Sequence, residues 1–194
     1  MTALTGRRPV VGLVCCAVGG VEQVREEFVL PALHRGWQVA VTLTPTAAHW
    51  LSASDEAVRL EEVTGFKVRS ERRLPSEASP HPPVDCYVVA PASANTVARL
   101  ALGLTDNQAL TQVCEALGGR QPPVVIFPRI NAAHAGQPAW EKHLDSLRAV
   151  GVRLVYGEGV WPLHSPRAAP PDRELPWLAI LAETADALTR RSLE

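Results

Sequence analysis

The chain has 194 residues, 46% of them hydrophobic and 20% charged, with a formal net charge of −1. That supports one well-buried α/β domain and is too little for two, so residues 1–194 are read as a single domain. A near-neutral balance without a basic run excludes a nucleic acid partner. No apolar stretch approaches the roughly 20 residues of a spanning helix, so no membrane partner is expected. Met1–Pro9 carries Arg7 and Arg8, but the apolar run behind it reads as a strand and offers no cleavage site. A cytoplasmic location is expected.

Val10–Cys16 (VVGLVCC) has the composition of a strand buried on both faces. After Gly19-Gly20 a helix is predicted through about His34, kinked at Pro31 and ended at Gly36. Trp37–Leu43 is the second strand, and Thr44-Pro45-Thr46 turns into a short helix over Ala47–Leu51. Ser54-Asp55-Glu56 reads as the cap of a further helix closed by Gly65, and Phe66–Arg69 as a brief edge strand. Ser70–Pro83 contains four prolines and reads as an exposed loop.

The stretch from Asp85 to Asn107 organises the rest. Cys86–Ala90 is a buried strand that Pro91 should stop, Ser93, Asn95 and Thr96 crowd a polar turn, and Val97–Leu102 resumes with helical periodicity. A strand, a polar turn and a helix N-terminus make an anion-binding corner, although Ser93 or Asn95 acting only as a helix cap fits the spacing equally. A helix over about Asp106–Leu117 should end at Gly118-Gly119. Pro123–Phe127 is another strand, Gln137–Val150 a helix ending at Gly151, and Val152–Tyr156 the last strand. Gly157–Pro176 reads as a Pro/Gly-rich flap, and Leu175–Leu193 as a closing helix. Strands alternating with helices imply a parallel sheet covered on both faces, with ligands beyond the strands' carboxyl ends. The polar turns Val18–Gly20, Thr44–Thr46 and Ser93–Thr96 all lie there.

Gly19-Gly20 permits close backbone approach but is not GxGxxG, and Thr44 stands where a dinucleotide fold carries its ribose-binding acid. A mononucleotide fits better. The four cysteines, Cys15, Cys16, Cys86 and Cys114, lack CxxC spacing; a reduced, packed role is expected and no metal site. Cys114, on a helix, has the best chance of being reactive.

Pro91-Ala92-Ser93-Ala94-Asn95-Thr96, followed by Gly103 and Asp106-Asn107, resembles the PASANT signature of the homo-oligomeric flavin-containing cysteine decarboxylases. That family includes the phosphopantothenoylcysteine and lantibiotic peptidyl-cysteine decarboxylases. The resemblance implies a Rossmann-like three-layer α/β/α sandwich with a parallel sheet. It implies FMN as cofactor, with Gly19, Gly20, Thr44, Thr46, Ser93, Ala94, Asn95 and Thr96 as contacts. It further implies a homotrimer or a dodecamer of trimers, with a small-molecule or peptide substrate. In that family a hydride passes from a cysteine-derived thiol to FMN, and the resulting thioaldehyde loses carbon dioxide to leave an enethiolate.

Pro128 and Asn131 match the family's second signature, PxMNxxMW, while Ile130, His134 and Ala135 replace its methionines and tryptophan. Asn131 is carried over as the group that orients substrate, since its amide both donates and accepts. The family's catalytic His is not found in register: counting back from Pro91 lands near Glu77. His81, four residues closer, and His134 are the candidate bases. The flap has no counterpart of the family's clamp cysteine and carries Trp161, His164 and Arg167 instead, with Trp177 just beyond. His49, at the start of the helix after the second strand, reads as either a flavin-phosphate neighbour or a surface residue. A flavin prenyltransferase and a non-catalytic FMN-binding partner protein are the alternatives.

Overall fold

The structure is a computed structural model that describes residues 7–170 and 173–191. The first six residues of the leader reading, residues 171–172 of the predicted flap and the end of the closing helix, 192–193, lie outside the described residues. Five strands form one parallel sheet: β1 (Val10–Cys15), β2 (Gln38–Leu43), β3 (Cys86–Ala92), β4 (Val124–Pro128) and β5 (Arg153–Leu154). Their order is β2-β1-β3-β4-β5, so the connection reverses direction between β1 and β3. Helices cover both faces, giving the Rossmann-like three-layer sandwich that the sequence implied.

Alternation along the strands divides the core. Val11, Leu13 and Cys15 of β1, with Val39, Val41 and Leu43 of β2 and Val88 and Phe127, form one apolar cluster. It packs against α1 (Leu30–His34), α2 (Pro45–Ser52), α3 (Glu56–Thr64) and α8 (Trp177–Arg191). Val14, Val89 and Ile126 face the other way, toward α4 (Ala94–Ala101), α5 (Gln108–Gly119) and α7 (Trp140–Ala149). Period-two burial on both faces is what an all-parallel sheet between helical layers requires.

Several boundaries differ from expectation, each for a local reason. Pro91 does not stop β3: the strand runs on to Ala92, which pairs with Pro128 after a register shift that follows Val89. A proline without an N–H is tolerated where the ladder is already irregular. The predicted long first helix is instead a 3-10 turn (Val21–Gln23), a π turn (Arg25–Val29) and α1, because Pro31 cannot donate to the preceding turn. Asp55 precedes α3 in a left-handed conformation (φ 55°) and makes no side-chain cap. Gly118 and Gly119 lie inside α5, and Arg120 (φ 55°) supplies the left-handed residue expected of them. The last strand keeps only two residues. The reading of 66–69 as an edge survives as a single bridge, in which Arg69 N donates to Val41 O and Leu43 N to Arg69 O.

One further helical turn, α6 (Ala132–Ala135), precedes α7, which begins at Trp140. Gly36 (φ 81°) and Gly65 (φ 72°) end α1 and α3 in the left-handed conformation as predicted. Residues 71–80 are exposed throughout. Among the described residues no helix is long and apolar enough to cross a membrane.

Candidate functional site

The loops leaving β1, β2, β3 and β4 are tied edge to edge. Thr44 N donates to Cys15 O (3.0 Å), Cys16 N to Pro91 O (3.1 Å) and Arg129 N to Ala92 O (2.8 Å). A side-chain bond adds to this: Cys16 Sγ donates to Thr96 Oγ1 at 3.1 Å, between two buried residues. The turns at Gly19-Gly20, Thr44, Ser93–Thr96 and Arg129–Asn131 therefore share one end of the sheet, across the point where the topology reverses.

Within the β3–α4 corner, Ser93 caps α4. Its hydroxyl oxygen accepts from Thr96 N (3.1 Å) and its O–H donates to Thr96 Oγ1 (3.1 Å). Thr96 is 5% exposed and holds Cys16 and Ser93, so it supports the corner from beneath. The amides of Ala94 and Asn95 precede the first intrahelical bond, Val97 N to Ser93 O, and point out of the helix end. Asn95 is exposed, and its Oδ1 accepts from Arg99 Nε (3.1 Å). Capping and an anion-ready helix end thus coexist here: Ser93 takes one amide and leaves two.

Thr44 caps α2 through a bond from Ala47 N (3.4 Å), and Thr46 is exposed in its first turn. His49 is exposed in the last turn of the same helix. In the first loop Gly19 is exposed and Gly20 is buried with φ 96°. A Cβ at Gly20 would lie 2.3 Å from Leu175 Cδ1, so the loop meets the flap here at a distance only glycine allows. The Gly20 amide is already held by both carboxylate oxygens of Glu22, at 3.0 and 3.2 Å.

Asn131 is half-buried at the end of β4 and caps α6, its Oδ1 accepting from His134 N (3.0 Å). That cap uses the side-chain oxygen and leaves the amide nitrogen as the group able to meet a ligand. His134 is exposed one turn later. His81 sits elsewhere. It lines a cleft of about 990 Å³ over the middle of β1 and β2, beside Gly12, Thr42 and Tyr87, whose lining includes none of the other candidate residues. Glu77, nearest the family's catalytic register, closes its own loop by accepting from Leu74 N (2.8 Å).

The His81 ring lies 2.7 Å from the Lys67 carbonyl, which can only accept, so Nε2 carries the proton. Burial pushes its pKa below the ordinary 6.5, against the hydrogen bond to Lys67, and the Arg69 charge adds to the lowering. A folded value below the unfolded one means the unfolded chain binds more protons as the pH drops. The stability contributed by neutral His81 is therefore complete above pH 6.5 and is lost as the pH falls toward the lowered value. An NMR titration, assigned with His81→Gln, should find this ring titrating below 6.5. A midpoint at or above that value would refute it.

All four cysteines are free, and only Cys114 is partly exposed. Burial raises Cys15 well above the ordinary thiol range, with the neighbouring Cys16 adding to it, and raises Cys16 as well. Cys86 is pushed up to about 12 by burial. Iodoacetamide at pH 8 should therefore label Cys114 at least tenfold faster than the other three, which should react fully only in urea. Equal labelling of all four in the native protein would count against this. Among the described residues no group of His, Cys, Asp and Glu side chains is placed to hold a metal ion.

The flap is docked rather than open. Ala132 N donates to His164 O (2.9 Å), Leu175 covers Gly20, and Trp161 packs edge-on against Phe127 with ring centroids 5.7 Å apart. Trp161 is 3% exposed and carries the guanidinium of Arg129 at 5.3 Å and that of Arg173 at 3.2 Å from its ring centroid. Trp177, grouped above with the flap's distinctive residues, is instead buried on α8 against Phe28. Arg173 and Leu175 were not singled out by sequence reasoning. A glycine doublet facing a Pro-rich segment was the only hint that something large had to cross it.

A parallel sheet with polar turns gathered at its switch point, open helix-end amides and a glycine at close approach defines a Rossmann-like domain with one candidate ligand site at that end of the sheet. The chain belongs to the Flavoprotein family, whose model matches residues 5–175. It is 27% identical over 159 residues to the coenzyme A biosynthesis bifunctional protein CoaBC of Haemophilus influenzae, covering 78% of this chain and 37% of that protein. Over 67 residues it is 42% identical to epidermin decarboxylase of Staphylococcus epidermidis, 34% of this chain and 35% of that one. The chain thus spans about a third of the length of these curated relatives. Among solved structures, the FMN-dependent cysteine decarboxylase TvaF from thioviridamide biosynthesis superposes with a TM-score of 0.64 at 22% identity, over 94% of this chain and 99% of that one. At that identity the likeness establishes the shared fold.

Proposed function

We propose that the chain binds FMN beyond the carboxyl ends of β1, β2 and β3 and oxidises the thiol end of a cysteine-derived small molecule or peptide, with loss of carbon dioxide. The observation that carries this reading is the edge-to-edge tying of the Thr44, Cys16 and Arg129 backbones, which gathers the polar turns of a Flavoprotein-family chain into one site. The cofactor fits the residues present: the Ala94 and Asn95 amides open toward an anion, and Gly19 carries no side chain to bar approach. Bound there, FMN supplies a hydride acceptor for the carbon bearing the thiol.

The chain's own groups bind and orient. The Asn131 amide nitrogen donates to the substrate carboxylate, His134 is the base nearest to it in sequence, and the docked flap with Leu175 and Trp161 excludes water. His81 faces a different cleft and acts on substrate only if another copy of the chain presents it. A homotrimer, or a dodecamer of trimers, in a reducing cytoplasmic setting completes this reading, and four unpaired thiols accord with the compartment. Light scattering that returned a monomer would remove the oligomer from it.

The test begins with the visible spectrum of the purified protein and the identity of any released chromophore. Flavin bands, FMN on release and anaerobic bleaching by a peptide ending in cysteine are expected. Asn131→Asp keeps the cap acceptor and removes the donor, so bleaching should slow at least tenfold. A colourless protein that also refuses added FMN overturns the reading, and an Asn131→Asp variant as fast as wild type overturns the role of Asn131.

A further inference from the structure

We propose that Arg129 and Arg173, gathered over the indole of Trp161, form a subsite for an anionic oxygen group, a phosphoryl or a carboxylate. Three observations converge. The Nε of Arg129 is buried and has no hydrogen-bond partner, and an orphaned cationic donor at that depth is costly unless something accepts from it.

The second observation is charge. Neither guanidinium enters an ion pair among the described residues. Two other arginines with side chains 19% exposed are paired: Arg25 binds Glu26 and Glu56, and Arg153 binds Glu183 and Asp186. Two guanidiniums over one ring repel each other. Burial and the charge of Arg129 both pull the Arg173 pKa down, outweighing the opposing charge of Glu158.

The third is shape. A cavity of about 460 Å³ opens beside the pair, lined by Gly19, Gly20, Arg129, Ala169, Arg173 and Leu175. Glu22 and Glu174 also border it, but Glu22 has its carboxylate on the Gly20 amide and Glu174 is exposed. Trp161 is fixed against Phe127 and gives the guanidiniums a flat support, so their donors are oriented before a ligand arrives. Paired forks on a rigid plane suit a group with two or three equivalent oxygens.

Two sources offer that chemistry at this end of the sheet: the flavin's own phosphate and an acidic group on the substrate. The subsite itself depends only on the cavity and the two cations, so its failure is separable from failure of the flavin reading. The probe is inorganic pyrophosphate, titrated calorimetrically into the full chain with and without added FMN. Wild type should bind it at least tenfold more tightly than Arg173→Gln, with Arg173→Lys between them and unchanged far-UV circular dichroism in all three. Absence of pyrophosphate binding by wild type, or equal binding by Arg173→Gln, overturns the proposal. If Arg173→Gln also narrows the preference for FMN over riboflavin tenfold, the occupant is the flavin phosphate. If that preference is unchanged and FMN-loaded wild type still binds pyrophosphate, the occupant is the substrate's anion.

Discussion

Replacing Phe127 by alanine should lower the free energy of unfolding by about 3–5 kcal/mol, the range for removing a fully buried phenyl ring. Phe127 is 0% exposed, lies next to the end of β4 and belongs to the core cluster shared with α8. Its ring also meets Trp161 edge-on, so the loss includes an aromatic contact beyond the buried area. Urea unfolding should show a lower midpoint with an unchanged slope, and Phe127→Leu should cost less than about 1.5 kcal/mol. The same substitution removes the wall behind Trp161, so pyrophosphate binding should weaken with it. A Phe127→Ala protein as stable as wild type would show that the flap does not depend on the strand beneath it.

Asp85→Ala should cost about 2–3 kcal/mol, the next largest effect expected, because it orphans a buried backbone donor and removes the ion-pair partner of two arginines. Asp85 is 8% exposed and accepts from Val10 N (2.8 Å), Arg7 (2.7 Å) and Arg191 (3.0 Å). It thus fastens the start of β1 and the end of α8 to the start of β3. The two arginines are partly exposed and recover water, while Val10 N at its buried position does not. Asp85→Asn keeps an acceptor for Val10 and should cost less than half as much, measured by the same unfolding assay. Equal losses for both variants would assign the effect to charge instead of to the orphaned amide.

What could be read from the sequence depended on whether the determining contact was local. Buried parallel strands announce themselves as apolar runs, so Val10–Cys15, Gln38–Leu43 and Val124–Pro128 were legible to within a residue or two. A cap at Ser93 or Asn95 was legible from the polar turn, and the structure gives it to Ser93. Arg120 as the left-handed end of α5 was not legible, because two preceding glycines are the better local candidates and the helix nevertheless runs through both. The run of β3 through Pro91 depends on the pairing of Ala92 with Pro128 in β4, a contact far away in sequence. The candidate site divides the same way. Its four turns follow from strand ends, whereas the grouping of Arg129, Trp161 and Arg173 follows from how the flap folds back, which no short-range pattern encodes.

The bonds that tie Thr44 to Cys15, Cys16 to Pro91 and Arg129 to Ala92 make the four turns one plate. A residue inserted within any tied stretch would break a neighbour's bond as well as its own, so change in length has to be spent beyond them. The exposed residues 71–80, outside every tied stretch, are where lengthening costs least. Changes of length in that loop and on the flap's outer face leave the plate with its dimensions unchanged.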